Sequence, residues 1–171
     1  MERVAALADF EAARGEWEDA FARVPDAALT YLKLGDDYAL GGLQVHVNWV
    51  LVHYRRVLDG IIAGRFIELG PQDPPGAEQD ARAGAKRGLM ADERARSLDE
   101  MGGLHTAVSA AIHDLPASDW ARKAPVIYGV GEAPYETSPE DIVGWLCDHY
   151  REHVEQSADL IEDWRATKAG G

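Results

Sequence analysis

SPEDIVGWLCDHYREHVEQSADLIEDW, residues 138–164, is the stretch from which the fold follows. Ser138 is a strong helix cap, Pro139 suits the first helical position, and Glu140 and Asp141 fall in the first turn, where the helix dipole favours negative charge. From there Ile142, Leu146, His149, His153, Leu160 and Trp164 recur at helical spacing on one stripe. The pattern predicts a helix from Ser138 to about Trp164, with residues 166–171 as a frayed tail. Two members of the apolar stripe are histidines four residues apart. Such a step turns about 400° and rises about 6 Å, so both imidazoles lie on one face within reach of a single cation. Buried ring nitrogens are costly without a partner, and a metal ion is one way of satisfying them.

Working outward, three further helical segments are legible. Residues 2–24 carry Val4, Leu7, Phe10, Trp17 and Phe21 at helical spacing and stop before Pro25. A second, the most apolar, runs from about Tyr38 to Ala63; it opens after Gly35-Asp36-Asp37, where an aspartate would cap the first turn, and closes at Gly64. A third starts near Ala91-Asp92 and ends before Pro116, with Leu98, Met101, Leu104, Val108, Ile112 and Leu115 on its buried side and Gly102-Gly103 weakening its middle. Pro71, Pro74, Pro75, Gly76 and Gly84 predict a long loop over 68–87 that holds a short helical piece at 77–83. Residues 119–137 read as a crossover loop in which Val126-Ile127-Tyr128 is extended. The fold class is all-α, with four long helices and neither an internal repeat nor a second domain, so 1–171 reads as a single domain.

Charge narrows the function. With 17 Lys and Arg against 30 Asp and Glu, the net charge of −13 and the scatter of basic residues argue against nucleic acid or an anionic membrane as partner. Ala85-Lys86-Arg87 is too small a patch to alter that and reads as solvated loop. The apolar stretch from Val45 to Ile62 is interrupted by His46, Asn48, His53, Arg55, Arg56 and Asp59, so it does not span a bilayer. One cysteine, Cys147, excludes an intramolecular disulfide, and the N-terminus lacks the apolar core of a signal peptide; a cytoplasmic location is the expectation.

A histidine pair is short of a catalytic metal site, which takes at least three protein ligands. The second helix offers His46 and His53, seven residues apart, on nearly the same face but separated by about 10 Å along the axis. The residues alone rank these two equally. His105 on the third helix is a further possibility, whereas His113, among polar neighbours, reads as a surface residue. Cys147 lies about 200° around the helix from His149 and reads as a packing residue. Tyr150, Arg151 and Glu152 fall on other faces, with solvated or interface roles, and Trp49, Tyr54 and Arg56 fit either a pocket wall or ordinary packing. Three imidazoles of ordinary pKa would release their cation as pH drops through about 6 to 7.

Two short motifs in this order, Leu43-Gln44-Val45-His46-Val47 and His149-Tyr150-Arg151-Glu152-His153, carry a resemblance to the DinB/YfiT-like family of metal-dependent four-helix-bundle proteins. The Pro/Gly-rich loop, the third helix ending Asp114-Leu115-Pro116, Trp120 and the acidic opening of the last helix extend it over nearly the whole chain. The resemblance implies a four-helix bundle in which His46, His149 and His153 hold one divalent cation, zinc or nickel, and it favours His46 over His53. It also implies a small-molecule substrate, a homodimer, and chemistry of the thiol-dependent S-transferase kind with a low-molecular-weight thiol as cosubstrate. The mycothiol-dependent isomerase branch usually carries Glu at the first position of the last-helix pair, so His149 directs the reading towards the all-histidine group. A non-catalytic metal-binding or ligand-binding bundle is the alternative, since a family resemblance locates a site and not a reaction.

Overall fold

A computed structural model describes residues 2–170. Among the described residues there are five α-helices and one small hairpin, besides three short 3-10 turns: α1 (Arg3–Ala22), α2 (Gly42–Ala63), α3 (Ala77–Arg87), α4 (Arg94–Asp114), β1 (Ala124–Val126), β2 (Tyr135–Thr137) and α5 (Pro139–Ala169). All four expected long helices are present, and α3 is the short helical piece expected within the 68–87 loop. The most extensive packing is α1 on α5, followed by α2 on α4, α2 on α3 and α2 on α5. Phe10, Trp17 and Phe21 from α1, Leu43, Val47, Leu51, Leu58 and Ile61 from α2, Met101, Val108 and Ile112 from α4, and Ile142, Leu146 and Leu160 from α5 fill the core. Val4, expected on the buried stripe of the first helix, is instead exposed.

The start of α5 is built as its sequence requires. The Asp141 amide donates to Ser138 Oγ (3.1 Å), and the Asp141 carboxylate accepts from the Ser138 amide (2.8 Å), a reciprocal cap with Pro139 at the first position. The helix continues to Ala169, so residues 166–169 of the expected frayed tail are helical; Gly171 lies outside the described residues. Tyr150 departs from expectation: it is 1% exposed, because α5 is covered by α1 as well as by α2 and buries more than one stripe.

Helix α2 starts at Gly42 and not near Tyr38, and no aspartate caps it. The amides of Ala39, Leu40 and Gly41 donate instead to the carbonyls of Ala85 (2.9 Å), Tyr31 (2.8 Å) and Leu29 (2.8 Å), so this segment is tied to the preceding loop and to α3 before the helix begins. A Cβ at Gly42 would lie 1.6 Å from the Ala85 carbonyl oxygen, so only glycine admits this crossing. The helical piece expected at 77–83 runs on to Arg87, with Glu78 and Asp80 in its first turn, Lys86 and Arg87 in its last, and a Glu78–Arg82 pair one turn apart. Gly102-Gly103 does not interrupt α4. In the crossover region the extended residues are 124–126, two residues earlier than expected, paired antiparallel with 135–137; Leu69 adds a bridge to Val126. No helix among the described residues is long and apolar enough to cross a membrane.

Candidate metal centre

His46 occupies the second turn of α2, and His149 and His153 stand on successive turns of α5. Where the two helices pack, one ring nitrogen from each of the three comes within 4.8 Å of the others. Ring centroids are 4.4 Å apart for His149–His153, 4.9 Å for His46–His149 and 5.2 Å for His46–His153. Of the two histidines on α2, His46 is level with the α5 pair, and His53, two turns further along, is not within this cluster.

Second contacts fix the rings. Gln156 Oε1 accepts from His153 Nδ1 (2.8 Å), which leaves the lone pair of a neutral His153 on Nε2, aimed at His149 Nε2 3.1 Å away. The Tyr38 ring stacks on His46 at 4.4 Å, and Trp17 presents its ring to His153 at 6.2 Å. The α2 turn carrying His46 is anchored by a buried relay: Trp17 Nε1 donates to Gln44 (2.8 Å), Gln44 Nε2 to Asn48 (2.8 Å), and Asn48 Nδ2 to the Ser97 carbonyl (3.0 Å). Helices α1, α2 and α4 therefore meet through satisfied polar side chains at the level of the cluster.

Electrostatics keep these imidazoles neutral. Burial, with the neighbouring His153 adding repulsion, lowers His46 to about 4 and His149 to about 3; burial also lowers His153, partly offset by its bond to Gln156. His153 is 5% exposed, while His46 and His149 are half-buried, so the cluster has one closed and one open side. This donor set fits a divalent transition metal. A metal–nitrogen bond of about 2.0–2.1 Å places ligand nitrogens of one ion about 3.0–3.4 Å apart. The 3.1 Å separation of the α5 pair falls in that range, and neutral imidazoles converging from two helices are the ligands such an ion takes.

Two turns along the same face of α2, a cleft of about 310 Å³ opens, lined by Trp49, His53, Asp73, Glu78, Tyr128, Gly129 and Glu132. His53 Nδ1 pairs with Asp73, whose other oxygen accepts from Arg56 Nη1 (2.9 Å). Tyr54 packs between His53 and Trp145. Of the residues read either as pocket or as packing, Trp49 lines the cleft, Arg56 braces it and Tyr54 packs behind it. Asp73 and Tyr128 carried no periodic signal in their loops. Tyr38 and Gln156 were likewise beyond sequence reasoning, because their roles come from the distance to histidines on other turns.

The remaining candidates lie elsewhere. His105 is 2% exposed, stacked on Phe10 at 3.8 Å, and bonded to Glu11 (3.0 Å) and the Tyr150 hydroxyl (3.3 Å), a tie between α1, α4 and α5 outside the cluster. His113 is exposed beside Asp114. Cys147 is buried, its thiol raised to about 12 by desolvation and the nearby Asp9 carboxylate, so it packs and is not a ready nucleophile. Arg151 bridges α5 to Asp9 and Glu16 of α1, an interface role.

Comparison with known proteins agrees with this architecture. No curated protein sequence matches the chain. A crystal structure of the mycothiol-dependent maleylpyruvate isomerase superposes with a TM-score of 0.68 at 11% sequence identity, covering 90% of this chain and 60% of that one. At that identity the likeness shows the fold alone, and the chain spans about 60% of that protein's length. The family model of the DinB superfamily matches residues 9–157, a span that takes in α2, the α3 region, α4 and all three clustered histidines; the chain belongs to the DinB superfamily.

Proposed function

We propose that His46, His149 and His153 bind one divalent cation at the α2–α5 contact and that the protein is a metal-dependent enzyme acting on a small molecule, with thiol-dependent S-transfer as the reaction class. The observation that carries this reading is the convergence of three neutral imidazole nitrogens within 4.8 Å on a partly open site. The four long helices serve as the bundle that holds the cluster, in one domain. Zinc and nickel suit an all-imidazole set better than magnesium or calcium, which prefer oxygen. When bound with a free coordination position, such an ion supplies Lewis acidity at which a thiol or water ionises near neutral pH. The chain's own contribution is positional: Gln156 holds the His153 ring, Tyr38 covers His46, and Trp17 closes the inner side. The similar isomerase structure is that of a mycothiol-dependent enzyme, which supports a thiol cosubstrate without naming one.

Elemental analysis of the purified protein, followed by calorimetric reloading of the metal-free form, tests the site; about one ion per chain is expected. Consumption of a low-molecular-weight thiol in the presence of an electrophilic small molecule, dependent on added metal and lost in His149→Ala, tests the reaction. A protein that takes up neither zinc nor nickel after careful reloading refutes both.

A further inference from the structure

His53 was a candidate ligand, and its geometry gives it different work. Its Nδ1 is paired with the Asp73 carboxylate, and Asp73 is held in turn by Arg56, whose guanidinium also lies 6.0 Å from the Trp49 ring. Asp73 is an acceptor, so Nδ1 carries the proton and the lone pair sits on Nε2. Among the described residues no hydrogen bond engages that Nε2, and His53 lines the cleft with Trp49, Tyr128, Glu78 and Glu132. Both members of the pair are mostly covered, His53 at 20% and Asp73 at 21% exposure, so water screens their interaction only partly. The groups facing the pair are Arg56 from α2, Glu78 from α3, and Tyr128 and Glu132 from the hairpin connection. Glu78 is itself paired with Arg82.

We propose that His53, oriented by Asp73, is a proton acceptor for a weakly acidic S–H or O–H group of a small molecule seated in this cleft. The proton passes from the bound group to Nε2, the bound group keeps the electron pair as thiolate or alkoxide, and the imidazolium is stabilised by Asp73, which stays ionised. The volume, about 310 Å³, is at the lower end for small-molecule sites, and the Trp49 and Tyr128 rings supply flat apolar surface for such a ligand. Seven residues of α2 separate His53 from His46, about 10 Å along the axis, so this group acts on a part of the ligand distant from the histidine cluster. The role does not depend on an ion at that cluster.

The test uses the full chain, metal-free and zinc-loaded, treated with bromoacetamide, whose bromide is displaced by an imidazole lone pair to form a C–N bond; peptide mass spectrometry reads each histidine. Exposure alone predicts the opposite order from the proposal, because the His113 side chain is 82% exposed against 20% for His53. We expect His53 to react about tenfold faster than His113 in both forms, and Asp73→Asn to slow His53 by about tenfold while leaving His113, the control for reagent, unchanged and the buried His105 as unreactive as in the wild-type protein, which is the check on folding. Long-range proton–nitrogen NMR of the wild-type protein should show His53 protonated at Nδ1 and bare at Nε2. A His53 rate no higher than that of His113, an unaltered rate in Asp73→Asn, or a proton on Nε2 overturns the proposal. Because labelling is read with and without zinc, its failure is distinguishable from failure of the metal site.

Discussion

Removing the clustered histidines one at a time, with His53 as the comparison, tests the site most directly. A structural zinc site with four protein ligands binds with about 10–16 kcal/mol at neutral pH, so one ligand is worth roughly 3 kcal/mol, a factor of about 100 to 1,000 in affinity. His46→Ala and His149→Ala should each lose about that factor, since each removes one of three nitrogens lying within 4.8 Å. His153→Ala should lose as much and destabilise the metal-free protein as well, because His153 is 5% exposed and its removal leaves a gap beside Trp17 and an unpaired Gln156. His53→Ala should change affinity by no more than about threefold, as its ring is committed to Asp73 and lies about 10 Å along α2 from His46. Calorimetric competition against a chelator of known affinity, at one pH and one metal, gives all four numbers, with urea unfolding of the metal-free variants run alongside. A large loss in His53→Ala with little change in His46→Ala would refute the assignment.

Acid should act in two separate windows. Burial lowers His46 to about 4 and His149 to about 3, so metal release from the folded protein should have its midpoint below about pH 5, and not at the 6 to 7 that unperturbed imidazoles predict. These depressed values also set the sign for stability: the metal-free protein is most stable above the unfolded histidine pKa near 6.5 and loses stability as pH falls towards 4, by about 2 kcal/mol per buried histidine between pH 7 and 5. Urea unfolding at those two pH values checks this, and equal stabilities would contradict it. Gly42→Ala should destabilise by about 3 kcal/mol, because the new methyl meets the Ala85 carbonyl oxygen at 1.6 Å; a variant of wild-type stability would show that α3 moves aside freely. Gln44→Leu should cost about 1–3 kcal/mol by leaving the buried Trp17 N–H and the Asn48 Oδ1 acceptor without their partner, and a loss below about 0.5 kcal/mol would mean water replaces it.

The α5 pair was legible in sequence because both histidines belong to one helix, whose period fixes their relation. The third histidine was not legible from the residues alone, since His46 and His53 share a face of α2 and only the way α2 packs on α5 decides which is level with the pair. Helix α3 was underestimated because Gly84 reads as a breaker, yet the missing Cβ is what lets the helix approach Val45. The hairpin strands are three residues each, too short for a period to show. Tyr150 was misplaced because an amphipathic reading assigns one buried face, while α5 has neighbours on two sides.

The histidine cluster is held by helices, whereas most of the cleft wall is supplied by what connects them: Asp73 from the loop ahead of α3, and Tyr128, Gly129 and Glu132 from the hairpin connection. Helix register is fixed by core packing over many turns, and a surface connection is not. A lineage carrying this chain is therefore free to exchange or lengthen those two connections, altering what enters the cleft, while the three imidazoles are inherited intact. For a protein engineer, a library confined to residues 70–72, 74–76 and 127–134 varies the cleft wall with the interior and the His53–Asp73 pair left alone.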